Sequence, residues 1–342
     1  MRLLVIGGTW FLGRVVVEEA VRAGHEVATF NRGRTGVDVP GARLLRGDRT
    51  NPGDLSRLRA AGPWDAVIDT SGYIPADVLA GARALDDQAG RYVFVSTVNV
   101  YEGWPVEPLS EASRLRACAA DATEAADERW GDRYGRLKAG CEHAVEEAFG
   151  DRAVILRPGV ILGRYEYIGR LPWWLRRFAR GGQILGPGSP DRGIQPIDVR
   201  DVAAYALHEA ADGPTGAFNV TAPYDHATYG EMLAACAHAT GSDAEITWVD
   251  DDFLIDHGVT MWTELPLWRT YEGTWRIDST RAHAAGLTCR PIADTVNDTW
   301  NWLTTGGQAV QNHRTSELGI TPEQETQLLA EAAISARGNT PG

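Results

Sequence analysis

The stretch "LLVIGGTWFLGR" (Leu3–Arg14) constrains this chain more than any other. An apolar run, two glycines and a second apolar-periodic run read as strand, tight turn and helix. A dinucleotide-binding turn spaced Gly-x-x-Gly-x-x-Gly would have its outer glycines at Gly7 and Gly13, with Trp10 where the middle one belongs. Gly7 supplies the bend, Gly13 the close packing of helix on strand, and Gly8 a second permissive backbone position. A phosphate needs a free N–H and room on one side. An indole turned away from it therefore leaves the N–H of Trp10 usable at the helix N-terminus. Thr9, Phe11 and Leu12 complete the segment expected to line a pyrophosphate. A glycine turn used only for packing is the competing explanation.

The pattern continues through the first half of the chain. Strands are expected at Arg2–Ile6, Glu26–Phe30, Arg43–Arg46, Ala66–Asp69, Tyr92–Val95 and Ala153–Leu156. Helices are expected at Leu12–Ala23, Pro52–Ala61, Pro75–Gln88 and Tyr134–Phe149. Near-continuous apolar strands joined by helices imply an α/β fold, a doubly wound parallel sheet of Rossmann type with ligands at its carboxyl edge. After Arg157 the pattern loosens into "WWLRRFARGGQILGPGSPDRGIQPIDVRDVAAYAL", which suits a smaller C-terminal substrate-binding lobe. The expected division is a dinucleotide-binding domain over 1–157, a mainly substrate-binding lobe over 158–305 with segments returning to the sheet, and a C-terminal helix and polar tail over 306–342. Asp198 or Asp201 is placed to cap one helix, and Thr321 with Pro322 to open the last.

Composition excludes several classes. A formal charge of -13 opposes a nucleic-acid partner, whose phosphates select clustered Lys and Arg. No apolar run spans a bilayer, and Leu3–Ile6 is too short for a signal peptide, so no membrane partner and a cytoplasmic location are expected. Cys118, Cys141, Cys236 and Cys289 lie too far apart for a metal site or disulfide framework, and no metal is expected. His143 and His208 fall inside expected helices and read as structural.

Three loops at the carboxyl edge carry the cofactor candidates. The second strand runs into "NRGR", giving Asn31, Arg32 and Arg34 where an NAD-selective site commonly places an acid for the ribose hydroxyls. Guanidinium matches phosphate in a planar fork, so Arg32 and Arg34 favour NADP over NAD. Asp48, with Arg49 beside it, follows the third strand near the expected adenine. Thr70, Ser71 and Gly72 follow the fourth, as the cofactor wall.

In "RYGRLKAG", Tyr134 and Lys138 stand four apart on one helix face. A tyrosine with an ordinary pKa of ~10 is a poor base near neutrality, and a nearby ammonium favours its phenolate. Taken alone, this spacing is common on helix surfaces. Ser96 and Thr97, in "VFVSTVNVYEG", end the fifth strand at the same edge, where a hydroxyl can polarise a carbonyl.

Together the glycine turn, "VSTVNVY", "YGRLK", "LRPGVILG" and "IQPIDVRDVA" resemble, in order and over roughly Met1 to Leu303, an extended or atypical short-chain dehydrogenase/reductase of the NAD-dependent epimerase/dehydratase family. The resemblance implies Thr97 as the catalytic hydroxyl, Tyr134 as acid/base, Lys138 as ribose contact, and Pro158 to Val160 along the nicotinamide, with Ser96 next to the cofactor. Val98 and Asn99 replace the Asp-Glu pair of sugar-nucleotide dehydratases, which speaks against water elimination by that route. Trp10 in place of glycine is typical of the atypical branch. The expected activity is an NADP(H)-dependent oxidoreductase acting on a carbonyl or secondary alcohol of a small molecule. An epimerase, an RNA-binding member of the plastid stem-loop type and a cofactor sensor are the alternatives. Tyr73, Asn99, Trp104, Trp173, Trp174 and Arg177 are the substrate candidates, and the late tryptophans suggest an aromatic or apolar substrate body such as a secondary metabolite. The exposed faces of Pro75–Gln88 and Tyr134–Phe149 would serve a homodimer, the oligomeric state being left open.

Overall fold

The structure, a computed structural model, describes residues 1–123, 130–307 and 318–338. The expected polar tail and most of the linker before the last helix lie outside the described residues.

Two compact units form. The first comprises Met1–Ile161, Pro196–Pro223 and Glu272–Cys289. Its sheet contains β1 (Arg2–Ile6), β2 (Glu26–Asn31), β3 (Arg43–Arg46), β4 (Trp64–Asp69), β5 (Ala89–Val95), β6 (Ala153–Pro158) and a seventh strand, Gly216–Val220. The order is seventh strand, β6, β5, β4, β1, β2, β3, and every pair is parallel. The winding reverses between β1 and β4, which Leu3 sets in register with Ala66, so the carboxyl ends there open the crevice where such sheets take ligands.

Strands buried on both faces need apolar side chains on both. Leu4, Ile6, Phe30, Val67, Tyr92, Phe94 and Ile155 pack with α3 (Pro75–Leu85) and α4 (Trp130–Phe149), through Val78, Ala82, Cys141, Ala144 and Val145. Elsewhere in the unit α1 (Phe11–Arg22) packs against the helix Val199–Ala211, which the Asp198 carboxylate caps at the Arg200 N–H. Asn51 caps α2 (Pro52–Ala60), accepting from Gly53 N–H at 2.8 Å.

Helix α4 starts one turn before the expected Tyr134. Its first turn carries exposed Gly131 and Asp132, so no apolar period announces it. The seventh strand was missed because Asn219 interrupts its short apolar run. That side chain is buried and satisfied, its amide donating to Asp278 O at 2.9 Å.

The second unit comprises Leu162–Gln195, Tyr224–Tyr271 and Arg290–Gly342. Its helices Arg170–Ala179, Tyr229–Thr240 and Ile292–Thr304 pack on one another, and the helix Pro322–Gly338 packs against a parallel pair, Gln183–Pro187 with Glu245–Val249. Two expected substrate residues are corrected here. Trp174 is fully buried, and its indole N–H donates to Pro266 O at 2.8 Å, an acceptor it shares with the Tyr229 hydroxyl. Arg177 is also interior: its Nε donates to Glu325 at 2.7 Å and its other nitrogens to the Gly181 and Gln183 carbonyls. A guanidinium so fully paired is a structural clamp, since freeing it would strand a buried carboxylate. Trp268 is likewise buried, with its N–H on Asp251. Trp173 stays half-buried, edge-on to Trp174.

Candidate active site

The glycine turn closes tightly. Gly7 and Gly8 lie at φ +106 and +87, a region that side-chain-bearing residues rarely adopt. A Cβ on Gly7 would come within 2.7 Å of Thr70 Oγ1, and one on Gly13 within 2.9 Å of Gly8 N. Thr70, whose hydroxyl donates to Ile6 O at 3.2 Å, thus props the turn from β4. Trp10 is the N-cap of α1 and offers no side-chain acceptor to the first-turn N–H groups. A helix N-terminus without such an acceptor suits an anionic ligand, so these residues fit a dinucleotide pyrophosphate.

Asn31 ends β2. Its amide donates to Gly7 O at 3.2 Å, and its oxygen accepts from Gly33 N–H at 2.9 Å and from Arg46. Arg32 lies 3.8 Å from Asp48, whose carboxylate accepts from Thr50 N–H and hydroxyl. Those bonds hold the Asp48 pKa below the usual carboxylate range. Arg34 is exposed. Arg49 departs from expectation: it turns inward to Asp69 at 2.7 Å, and the Tyr92 hydroxyl donates to the same carboxylate oxygen. Arg49 therefore braces the end of β4, while Ser71 N–H donates to the other Asp69 oxygen.

The ends of β4 and β5 seat Lys138. The Lys138 ammonium, nearly fully buried, donates to Val95 O at 2.6 Å and Gly72 O at 3.0 Å. Burial pushes its pKa down to about 8. Its nitrogen lies 5.6 Å from the Tyr73 ring, and that ring lies 6.3 Å from the ring of Tyr134. Thr97, two residues past Val95, accepts from Asn99 N–H at 3.3 Å. Gly135 lets α4 approach this turn, because a Cβ there would collide with Asn99 O.

Ser96 differs from its expected cofactor role. Its hydroxyl is buried and donates to Glu142. Glu142 also takes Arg157 in a bidentate pair at 2.6 to 3.1 Å, and Arg157 donates to the Tyr101 hydroxyl at 2.9 Å. Tyr101 in turn donates to Asn219 at 2.7 Å, and burial pushes its pKa up to about 12. This network ties α4 to the residue after β5, to β6 and to the seventh strand. Pro158 directly follows Arg157 and is buried, while Val160 O accepts from Ile197 N–H.

The sequence reading missed Arg46, Asp69, Glu142 and Arg157. Glu142 left a signal, four residues beyond Lys138 and so on the same helix face. Arg46 left none until β3 was set beside β2, where it registers with Asn31. Among the described residues no His/Cys/Asp/Glu cluster could hold a metal, and no helix is long and apolar enough to cross a membrane.

A chloroplast stem-loop binding protein of 41 kDa from Arabidopsis thaliana is 24% identical over 256 residues, 70% of this chain and 63% of that protein. The 2'-dehydrokanamycin reductase of Streptomyces kanamyceticus is 32% identical over 165 residues, 47% of this chain and 43% of that protein. The matched regions thus span less than two thirds of either relative. Among solved structures, the enzyme WbmG of Bordetella bronchiseptica, in complex with NAD and UDP, superposes with a TM-score of 0.67 at 19% identity, covering 92% of this chain and 98% of that one. UDP-glucose 4-epimerase of Thermotoga maritima, with UDP-glucose, gives 0.64 at 16%, covering 89% and 99%. Both likenesses speak to the fold. The model of the NAD dependent epimerase/dehydratase family matches residues 3–221, taking in the glycine turn, the Lys138 helix and all of the seven-stranded sheet but Arg2, and the chain belongs to that family.

Proposed function

We propose that the chain is an NADP(H)-dependent oxidoreductase that acts on a ketone or secondary alcohol of a small molecule. The observation that carries this reading is the seat of Lys138. Its ammonium is fixed by two backbone carbonyls at the sheet's carboxyl edge, one turn along α4 from Tyr134. A bound nicotinamide supplies or accepts the hydride.

The chain's residues do the rest. Gly7, Gly8 and the Thr9–Gly13 segment hold the pyrophosphate, and Thr70 and Gly72 form the wall. Lys138, with two of its three N–H groups committed, keeps one for a ribose hydroxyl and holds positive charge beside Tyr134. The Tyr134 hydroxyl gives its proton to the substrate oxygen in reduction and takes it back in oxidation. Thr97 donates a hydrogen bond to that oxygen, and Tyr73, Asn99 and Trp104 contact the substrate body. Likeness to a protein named 2'-dehydrokanamycin reductase supports reduction over epimerisation. The charge of -13 weighs against the RNA-binding role named for the plastid relative.

The cofactor preference is tested by titration. NADPH is expected to bind more tightly than NADH, and Arg32→Ala to narrow the gap by about tenfold, through loss of a charge-assisted contact. Equal affinities in the unsubstituted protein would remove the NADP assignment.

A further inference from the structure

The cofactor edge holds a second guanidinium that is better built than Arg32. Arg46 ends β3 in register with Asn31, and its side chain lies flat against Gly33. A Cβ on Gly33 would sit 3.0 Å from its Nε and 3.1 Å from its Cζ, so a side chain there would push the guanidinium aside by a few tenths of an ångström. Asn31 takes an Arg46 N–H on its oxygen and anchors itself to Gly7 O. Asn31 stands where an NAD-selective chain commonly carries an acid, and here it positions a cation beside the glycine turn.

That cation already holds an anion. Both terminal nitrogens of Arg46 donate to Asp38, one of them at 3.0 Å. Asp38 reaches back from the loop after β2, which bends at Gly33 and Gly36, both at φ +66. Gly36 rests on the glycine turn itself, where a Cβ would overlap the Thr9 carbonyl. A carboxylate in a guanidinium fork presents two acceptor oxygens at the spacing of a phosphate monoester. The pair is also open to water, with Arg46 45% and Asp38 27% exposed, so exchanging one anion for another costs little desolvation.

We infer that the Arg46 fork is an exchangeable anion site, filled by Asp38 in the cofactor-free chain and by the 2′-phosphate of NADP(H) when the dinucleotide binds. The inference rests on the NADP(H) reading above. A 2′-hydroxyl has no charge with which to displace Asp38, so NAD(H) leaves the pair intact. A 2′-phosphate gains Arg46 but must first free it. Asp38 therefore lowers the affinity for NADP(H) alone and narrows the preference that Arg46 creates.

Calorimetric titration of the full chain with NADP⁺ and NAD⁺, which differ only in the 2′-phosphate, tests this without reference to turnover. Asp38→Asn is expected to tighten NADP⁺ about threefold and leave NAD⁺ unchanged. Arg46→Met is expected to weaken NADP⁺ about tenfold, again with NAD⁺ unchanged. Both positions are at the surface, and circular dichroism checks that the variants fold. If NADP⁺ affinity does not respond to Asp38→Asn, or Arg46→Met changes both cofactors alike, the exchange is wrong. A preference for NADP⁺ that Arg32→Ala removes while Asp38→Asn is silent overturns the exchange and leaves the cofactor reading standing. No preference in the unsubstituted chain overturns the cofactor reading itself.

Discussion

Tyr134→Phe is expected to lower turnover by about 10²–10⁴-fold while leaving NADPH affinity nearly unchanged. The substitution removes one hydroxyl and keeps the ring that faces Tyr73, so the walls of the site persist while the proton donor is lost. Lys138→Met should damage both quantities, because the proposed mechanism asks one ammonium to serve both the ribose and the tyrosine. Its pKa near 8, pushed down by burial, adds a test by pH. Below that value Lys138 is charged; as pH rises through about 8 it loses its proton, and cofactor affinity and turnover should fall together. Stability should move the other way. In the unfolded chain a lysine titrates near ~10.4, so between the two values the unfolded state binds more protons and folding gains with rising pH. Activity lost over that window without loss of structure is the expected signature. Full turnover in Tyr134→Phe would assign the proton transfer to another group.

Glu142→Leu is expected to destabilise the fold by about 3–5 kcal/mol, enough to threaten folding at ordinary temperature. Glu142 and Arg157 are both nearly fully buried and bonded at 2.6 to 3.1 Å, and the Ser96 hydroxyl depends on the same carboxylate. Removing the acid strands a guanidinium in the interior. Removing both charges does not, so Glu142→Leu with Arg157→Met should regain most of the loss. Denaturant midpoints of the two variants decide it: a single variant as stable as the double would show that the pair is not the strut between α4 and β6.

Much of the first unit was legible because its signals are local. An apolar strand such as "RLLVI" followed by two glycines has few alternatives, and Tyr134 and Lys138 announce themselves by helical spacing. The seventh strand escaped because buried Asn219 reads as a turn residue until Asp278 O and Tyr101 are seen to satisfy it. Trp174 and Arg177 misled for the converse reason. A tryptophan and an arginine in a loosely patterned segment look available for ligands, and only the folded chain brings Pro266 O and Glu325 against them. Arg46 and Asp38 were invisible because their meaning depends on β3 lying beside β2 and on the loop folding back over Gly33. Sequence spacing carries short-range geometry; which side chains are already spent on one another is a tertiary fact.

The central claim is that the turn from Gly7 to Gly13 holds a nicotinamide dinucleotide, and titration with NADPH, read by quenching of tryptophan fluorescence, tests it most directly. Saturable binding at one site per chain is the expected result. Trp10→Gly should retain that binding, since the phosphates meet the backbone. Gly13→Val should abolish it while the seven-stranded sheet remains, because a Cβ there collides with Thr70 Oγ1 at 2.5 Å and Gly8 N at 2.9 Å and forces the turn open. A folded protein that binds neither NADPH nor NADH, or a Gly13→Val variant that binds as well as the unsubstituted chain, would contradict it.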